Sequence, residues 1–122
     1  MEFRKCLIYE DDQVALMSLE MMVNKLGYSI LNSYDSADNL TSEVITYDPD
    51  FVLMDITLTG EKNGLEATKE LRNYENVPVI FLTAHSDRKT VDEIGLMKNS
   101  YLINKPYTEM LIDMKLKELF KS

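Results

Sequence analysis

The chain carries one cysteine and one histidine among 122 residues, so neither an internal disulfide nor a zinc site built on His and Cys can staple it. Cys6 reads as a core residue, because no histidine is placed to activate its thiol. Basic residues are scarce. Lys and Arg number 13 against 21 Asp and Glu, a net charge of −8. That balance excludes a general nucleic-acid binder, which needs clustered cations, though not a regulator of one. No apolar stretch approaches the roughly 20 residues that span a bilayer. No signal-peptide pattern opens the sequence, and the lone thiol suits a reducing compartment, so a cytoplasmic protein without membrane or direct nucleic-acid contacts is expected. Nor does any repeat, linker or low-complexity tract divide the chain. One domain over 1–122 is expected, long enough to bury a real core.

What the sequence does contain is a series of short apolar runs that end in chemistry. Phe51-Val-Leu-Met-Asp55 is four apolar residues and a carboxylate, the pattern of a strand buried on both faces. Cys6 to Tyr9 runs into Glu10, Asp11 and Asp12; Val79 to Leu82 runs into Thr83; Tyr101 to Ile103 runs into Asn104, Lys105 and Pro106. A further short strand is expected over 28–33. Between these runs the apolar spacing turns helical. Leu16, Leu19, Val23 and Leu26 mark a helix over about 13–26, capped by Asp12 and stopped by Gly27. Helices are also expected over 37–47 (Leu40, Val44, Tyr47), 64–74 (Leu65, Thr68, Leu71), 87–98 (Val91, Ile94, Met97, weakened by Gly95) and 108–121 (Ile112, Leu116, Leu119, Phe120). Met17, Met21 and Met22 are expected to fill gaps between the first helix and its neighbours.

Strands alternating with helices predict an α/β fold: a five-stranded parallel sheet with helices on both faces. In the doubly wound order 2-1-3-4-5, strands one and three lie side by side at the topological switch point, where such sheets bind ligands. Glu10, Asp11 and Asp55 would then share one crevice. Carboxylates so crowded must bind a proton or a cation. An all-oxygen set favours Mg²⁺ or a similar ion such as Mn²⁺, which takes one or two carboxylates, waters and phosphate oxygens. Thr83 and Lys105 could offer a hydroxyl and an ammonium to the phosphoryl group, with Asp55 as nucleophile.

On these residues the chain resembles the receiver domains of two-component response regulators, chemotaxis-type receivers included, over essentially its whole length. The segments Tyr9-Glu-Asp-Asp, Pro49-Asp-Phe-Val-Leu-Met-Asp-Ile and Asn104-Lys-Pro-Tyr carry the resemblance, with Thr83 between them. It implies a flavodoxin-like fold and an Asp55 that accepts a phosphoryl group from a sensor histidine kinase or phosphotransfer protein. It also implies metal ligation by Asp11, by Glu10 largely through water, by Asp55 and by the Thr57 backbone carbonyl. Lys105 would pair with the phosphate, Thr83 would move toward it, and a cis peptide would precede Pro106. Such a protein catalyses only its own phosphoryl transfer and is not otherwise an enzyme. No output domain is expected within the chain, so a stand-alone regulator and a receiver from a longer protein both remain open.

The sequence departs from the family pattern in places. Gly64 falls nine residues after Asp55 rather than eight, and the 57–63 loop lacks its usual Pro. The aromatic switch position holds Leu102, with Tyr101 beside it, so either Leu102 packs silently or Tyr101 is turned by a local irregularity. Thr57 and His85 occupy the positions that tune phosphoryl lifetime, and Ala84 is small enough to leave the phosphate accessible. Leu102 also leaves room for an interaction module that works without phosphorylation. A phosphohydrolase with an Asp nucleophile is disfavoured, since its usual second Asp is Thr57 here. A flavin-binding relative is disfavoured because the carboxylates would repel the cofactor phosphate.

Overall fold

The computed structural model describes residues 3–58, 60–84 and 87–121. Strands and helices alternate along them: β1 (Lys5–Tyr9), α1 (Gln13–Lys25), β2 (Ser29–Tyr34), α2 (Leu40–Tyr47), β3 (Phe51–Asp55), α3 (Gly64–Leu71), β4 (Val79–Thr83), α4 (Arg88–Leu96), β5 (Ser100–Asn104) and α5 (Glu109–Leu119). The strands form one five-stranded sheet in the order β2-β1-β3-β4-β5, every pair parallel, as expected. No helix among the described residues is long and apolar enough to cross a membrane.

Side chains alternate across a strand, and here both faces of the sheet are covered. Leu7, Tyr9, Val52, Met54, Val79 and Phe81 enter one core with Leu40 and Val44 of α2, Leu65 and Leu71 of α3 and Ile94 of α4. Cys6, Ile8, Phe51, Leu53, Ile80 and Leu82 enter the other with Leu19 and Val23 of α1 and Ile112 and Leu116 of α5. Every residue of β3 and β4 is buried for that reason, which explains their unbroken apolar runs. At the sheet edge no residue of β2 is fully buried.

The helix starts follow local capping chemistry. Asp12 Oδ1 accepts from the amides of Val14 and Ala15 at 2.9 and 3.3 Å, the cap expected from sequence. Asn63 and Glu66 form a reciprocal capping box at α3. Asp87 and Thr108 cap α4 and α5. The helix expected from residue 37 begins only at Leu40; residues 37–39 make a turn, and the Asp38 side chain bonds elsewhere rather than capping it.

Two core expectations need correction. Met17 and Met21 are 62% and 72% exposed, and only Met22 packs against the core. At about 100° per residue, positions 17 and 21 lie opposite the buried Leu19 and Val23. Val91 is likewise exposed, at the margin of the α4 stripe that buries Ile94 and partly buries Met97.

Candidate functional site

The site is assembled by strand order. β1 connects to α1 on one face of the sheet and β3 to α3 on the other, so the chain leaves two neighbouring strands in opposite directions and a crevice opens between them. Tyr9 pairs with Met54 in the register, which brings the next residues, Glu10 and Asp55, level with each other. β4 adds Thr83, buried at its end, and the pairing of Thr83 with Asn104 sets Lys105 just beyond. The Lys105 amide donates to the Thr83 carbonyl at 2.7 Å, and the Lys105–Pro106 peptide is cis, as the resemblance implied.

Glu10, Asp11 and Asp55 each offer a carboxylate oxygen within 4.8 Å of the others. Glu10 and Asp55 are almost fully buried, at 1% and 3% exposure, while Asp11 is half-buried. Lys105 Nζ stands 3.4 Å from Asp55 Oδ2 and 3.6 Å from Glu10 Oε1. Thr57 folds back on the same carboxylate: its amide and hydroxyl donate to Asp55 Oδ1 at 3.0 and 3.1 Å. Glu10 Oε2 accepts from the Asp12 amide at 3.2 Å, whereas Glu10 Oε1 is buried with no hydrogen-bond partner.

The electrostatics separate the two buried carboxyls. Burial, reinforced by Asp55, pushes the Glu10 carboxyl up to about 7, against the opposing pull of the Asp12 amide and Lys105. Burial alone would also raise Asp55. The interaction with Glu10, the Thr57 donors and the Lys105 ammonium outweigh it and hold Asp55 below its ordinary value. Of the two, Asp55 is the carboxylate kept ionised.

Those features fit a hard divalent cation. The donor set is all oxygen, three ligand atoms already converge, and the buried Glu10 Oε1, ion-paired to Lys105 but without a hydrogen bond, is the kind of acceptor that a cation or its water would satisfy. Asp12 is not part of the cluster; its side chain is committed to capping α1.

Of the residues singled out from sequence, Glu10, Asp11, Asp55, Thr83 and Lys105 all lie at strand ends on this one edge of the sheet. Thr57 lies in the β3–α3 loop beside them, and His85 lies outside the described residues. The β4–β5 pairing runs without a break, so no irregularity turns Tyr101 into the place of Leu102. Leu102 packs against the α2–α3–α4 core and Tyr101 against the opposite one. Two tyrosines were missed. Tyr107 is close enough for burial, then Glu10 and Asp55, to push its hydroxyl up to about 12. Tyr9, directly before Glu10, is fully buried, donates to Glu43 Oε1 at 2.9 Å and stacks on Tyr34 with ring centres 5.3 Å apart. A tyrosine inside a strand buried on both faces was the available signal, since its hydroxyl must find a partner.

A parallel α/β domain with a cation-ready acidic pocket at its switch point is the class that fold and site define. The sequence model of the response regulator receiver domain matches residues 6–117, and the chain belongs to that family. Solved structures agree. The PhyR receiver domain of Erythrobacter litoralis is 29% identical, with 100% of this chain and 94% of that one covered and a TM-score of 0.82. The receiver domain of a sensor histidine kinase from Pseudomonas aeruginosa is 25% identical over 99% of this chain and 100% of that one, with a TM-score of 0.86; it holds a magnesium ion coordinated in its active-site cleft. The signal receiver domain of a modulated diguanylate cyclase from Desulfovibrio desulfuricans is 26% identical over 94% and 93%, with a TM-score of 0.81. Receiver domains are signalling domains of two-component systems.

Proposed function

We propose that the protein is a phosphorylation-controlled switch in a two-component phosphorelay. Asp55 accepts a phosphoryl group from a sensor histidine kinase or phosphotransfer protein in the cytoplasm. The observation that carries this reading is the pairing of a buried Asp55 with Lys105 at 3.4 Å, inside a cluster of carboxylates. Glu10, Asp11, Asp55 and the Thr57 carbonyl would hold Mg²⁺ or Mn²⁺, which when bound neutralises charge on the transferring group.

An Asp55 carboxylate oxygen attacks the phosphorus of a phosphohistidine. A P–O bond forms as the P–N bond breaks, and the leaving electron pair stays on the imidazole nitrogen, which takes up a proton. Lys105 offsets the negative charge that gathers on the equatorial oxygens, and the Thr83 hydroxyl donates to one of them. A groove of about 440 Å³ between Ala15 and Met22 of α1 and Pro106 and Tyr107 lies beside Lys105, and supports docking of a partner there.

The acyl phosphate carries a charge of about −1.5 to −2 where the carboxylate carried a single negative charge. Thr83 and Lys105, drawn toward it, pull on the ends of β4 and β5, and the surface of α4 and β5 shifts between two states. The test is incubation with acetyl phosphate and Mg²⁺ followed by intact-mass measurement. Wild type gains one phosphoryl group, and Asp55→Ala or wild type in excess chelator gains none. No gain in wild type overturns the reading.

A further inference from the structure

Asp38 lies outside the site, in the turn before α2, yet its carboxylate meets the loop that carries Thr57. Its Oδ1 accepts from the Lys62 amide at 3.0 Å, across 24 residues of sequence. The same carboxylate presses on Gly60, where a Cβ would meet Asp38 Oδ1 at 2.9 Å and Oδ2 at 3.1 Å. Gly60 also has φ +128, a conformation that side chains rarely adopt, so glycine suits the loop where it passes Asp38.

The remainder of the loop is anchored at its ends. Thr57 is tied to Asp55 Oδ1 through its amide and hydroxyl, and Leu58 is buried in the α2–α3–α4 core. At the far end Asn63 caps α3, and Lys62 Nζ pairs with Glu70. Between these anchors, Asp38 is the described side chain that grips the loop backbone from another element.

We infer that Asp38 is a positioning residue for the metal pocket: by holding the Lys62 amide it fixes the loop that presents Thr57. This rests on the reading of the site as a Mg²⁺ pocket. Groups that orient ligands without touching the metal commonly change its affinity about 10- to 100-fold when removed. The same hydrogen bond joins the turn before α2 to the β3–α3 loop.

The experiment is a Mg²⁺ titration of wild type, Asp38→Ala and Asp38→Asn, followed by amide NMR well below the melting temperature of each. Asp38→Ala should bind Mg²⁺ about tenfold more weakly, with faster deuterium exchange at the Lys62 amide. Asp38→Asn keeps an acceptor oxygen and loses the charge, so it should bind within about twofold of wild type if the hydrogen bond is what matters. Wild-type affinity in Asp38→Ala overturns the positioning role alone. Equal weakening in Asn and Ala also overturns it, assigning the effect to charge. Failure of wild type to bind Mg²⁺ overturns the site reading and this role with it.

Discussion

Gly64 approaches the backbone of Asp55 so closely that a Cβ at residue 64 would meet the Asp55 carbonyl oxygen at 2.9 Å. The start of α3 is thereby seated against the end of β3, directly beneath the proposed phosphoacceptor. Ala is the better helix former by up to about 1 kcal/mol, but crowding a packed site costs about 1–3 kcal/mol. The atom in the way is backbone and cannot swing aside. Gly64→Ala should therefore lower the urea midpoint, and a raised midpoint would show that α3 can slide away.

Among the described residues, Lys105 is the one cation paired with both buried carboxylates, at 3.4 Å from Asp55 and 3.6 Å from Glu10. Its ammonium offsets the charge of both carboxylates and would repel a divalent cation placed beside them. Lys105→Met should keep or increase Mg²⁺ affinity while lowering stability in metal-free buffer. Asp11→Asn should have the opposite effect on the metal, weakening it about tenfold or more. Calorimetric titration of the two variants separates these roles; loss of Mg²⁺ binding in Lys105→Met would contradict them.

Asp12 follows Asp11 directly but does different work. Its carboxylate caps α1 through the Val14 and Ala15 amides. Asp12→Ala should cost about 1 kcal/mol of stability and leave Mg²⁺ affinity within about twofold, since the Glu10 contact uses the Asp12 backbone amide. A large loss of Mg²⁺ affinity at unchanged stability would make Asp12 a ligand instead.

Burial, then the charge of Asp50, push the Cys6 thiol up from 9.0 to about 12. Tyr107 rises from 10.0 to about 12 through burial, then Glu10 and Asp55. Both groups hold their protons more tightly folded than unfolded. The stability they contribute is complete below about pH 9 and is lost as the pH climbs toward 12. Urea midpoints should fall across that window, with a shallower slope in Cys6→Ala. At pH 8 a thiol reagent should modify Cys6 only after urea is added; labelling of the native protein at the rate of free cysteine would contradict its burial.

Much of this site could be read from sequence because its residues sit at the ends of buried strands. Glu10, Asp55, Thr83 and Lys105 each follow an apolar run, and parallel topology gathers such ends on one edge. What escaped acts across the fold rather than along the chain. Asp38 bonds a backbone amide 24 residues away, and Tyr9 bonds Glu43 at a separation of 34, neither in any local pattern. Met17 and Met21 misled for another reason. Apolar character suggested burial, but their angular position on α1 puts them in solvent. Leu102 was legible as a departure, while its partners required the packing of β5 against α4.

Asp55, and no other acidic side chain, should take the phosphoryl group. Borohydride reduces an acyl phosphate to an alcohol and leaves free carboxylates untouched, so it marks the acceptor covalently. After treatment with acetyl phosphate and Mg²⁺, then borohydride, peptide mass spectrometry should find homoserine at residue 55. Homoserine at residue 11 or 12, or unreduced Asp55 in a phosphorylated sample, would place the acceptor elsewhere.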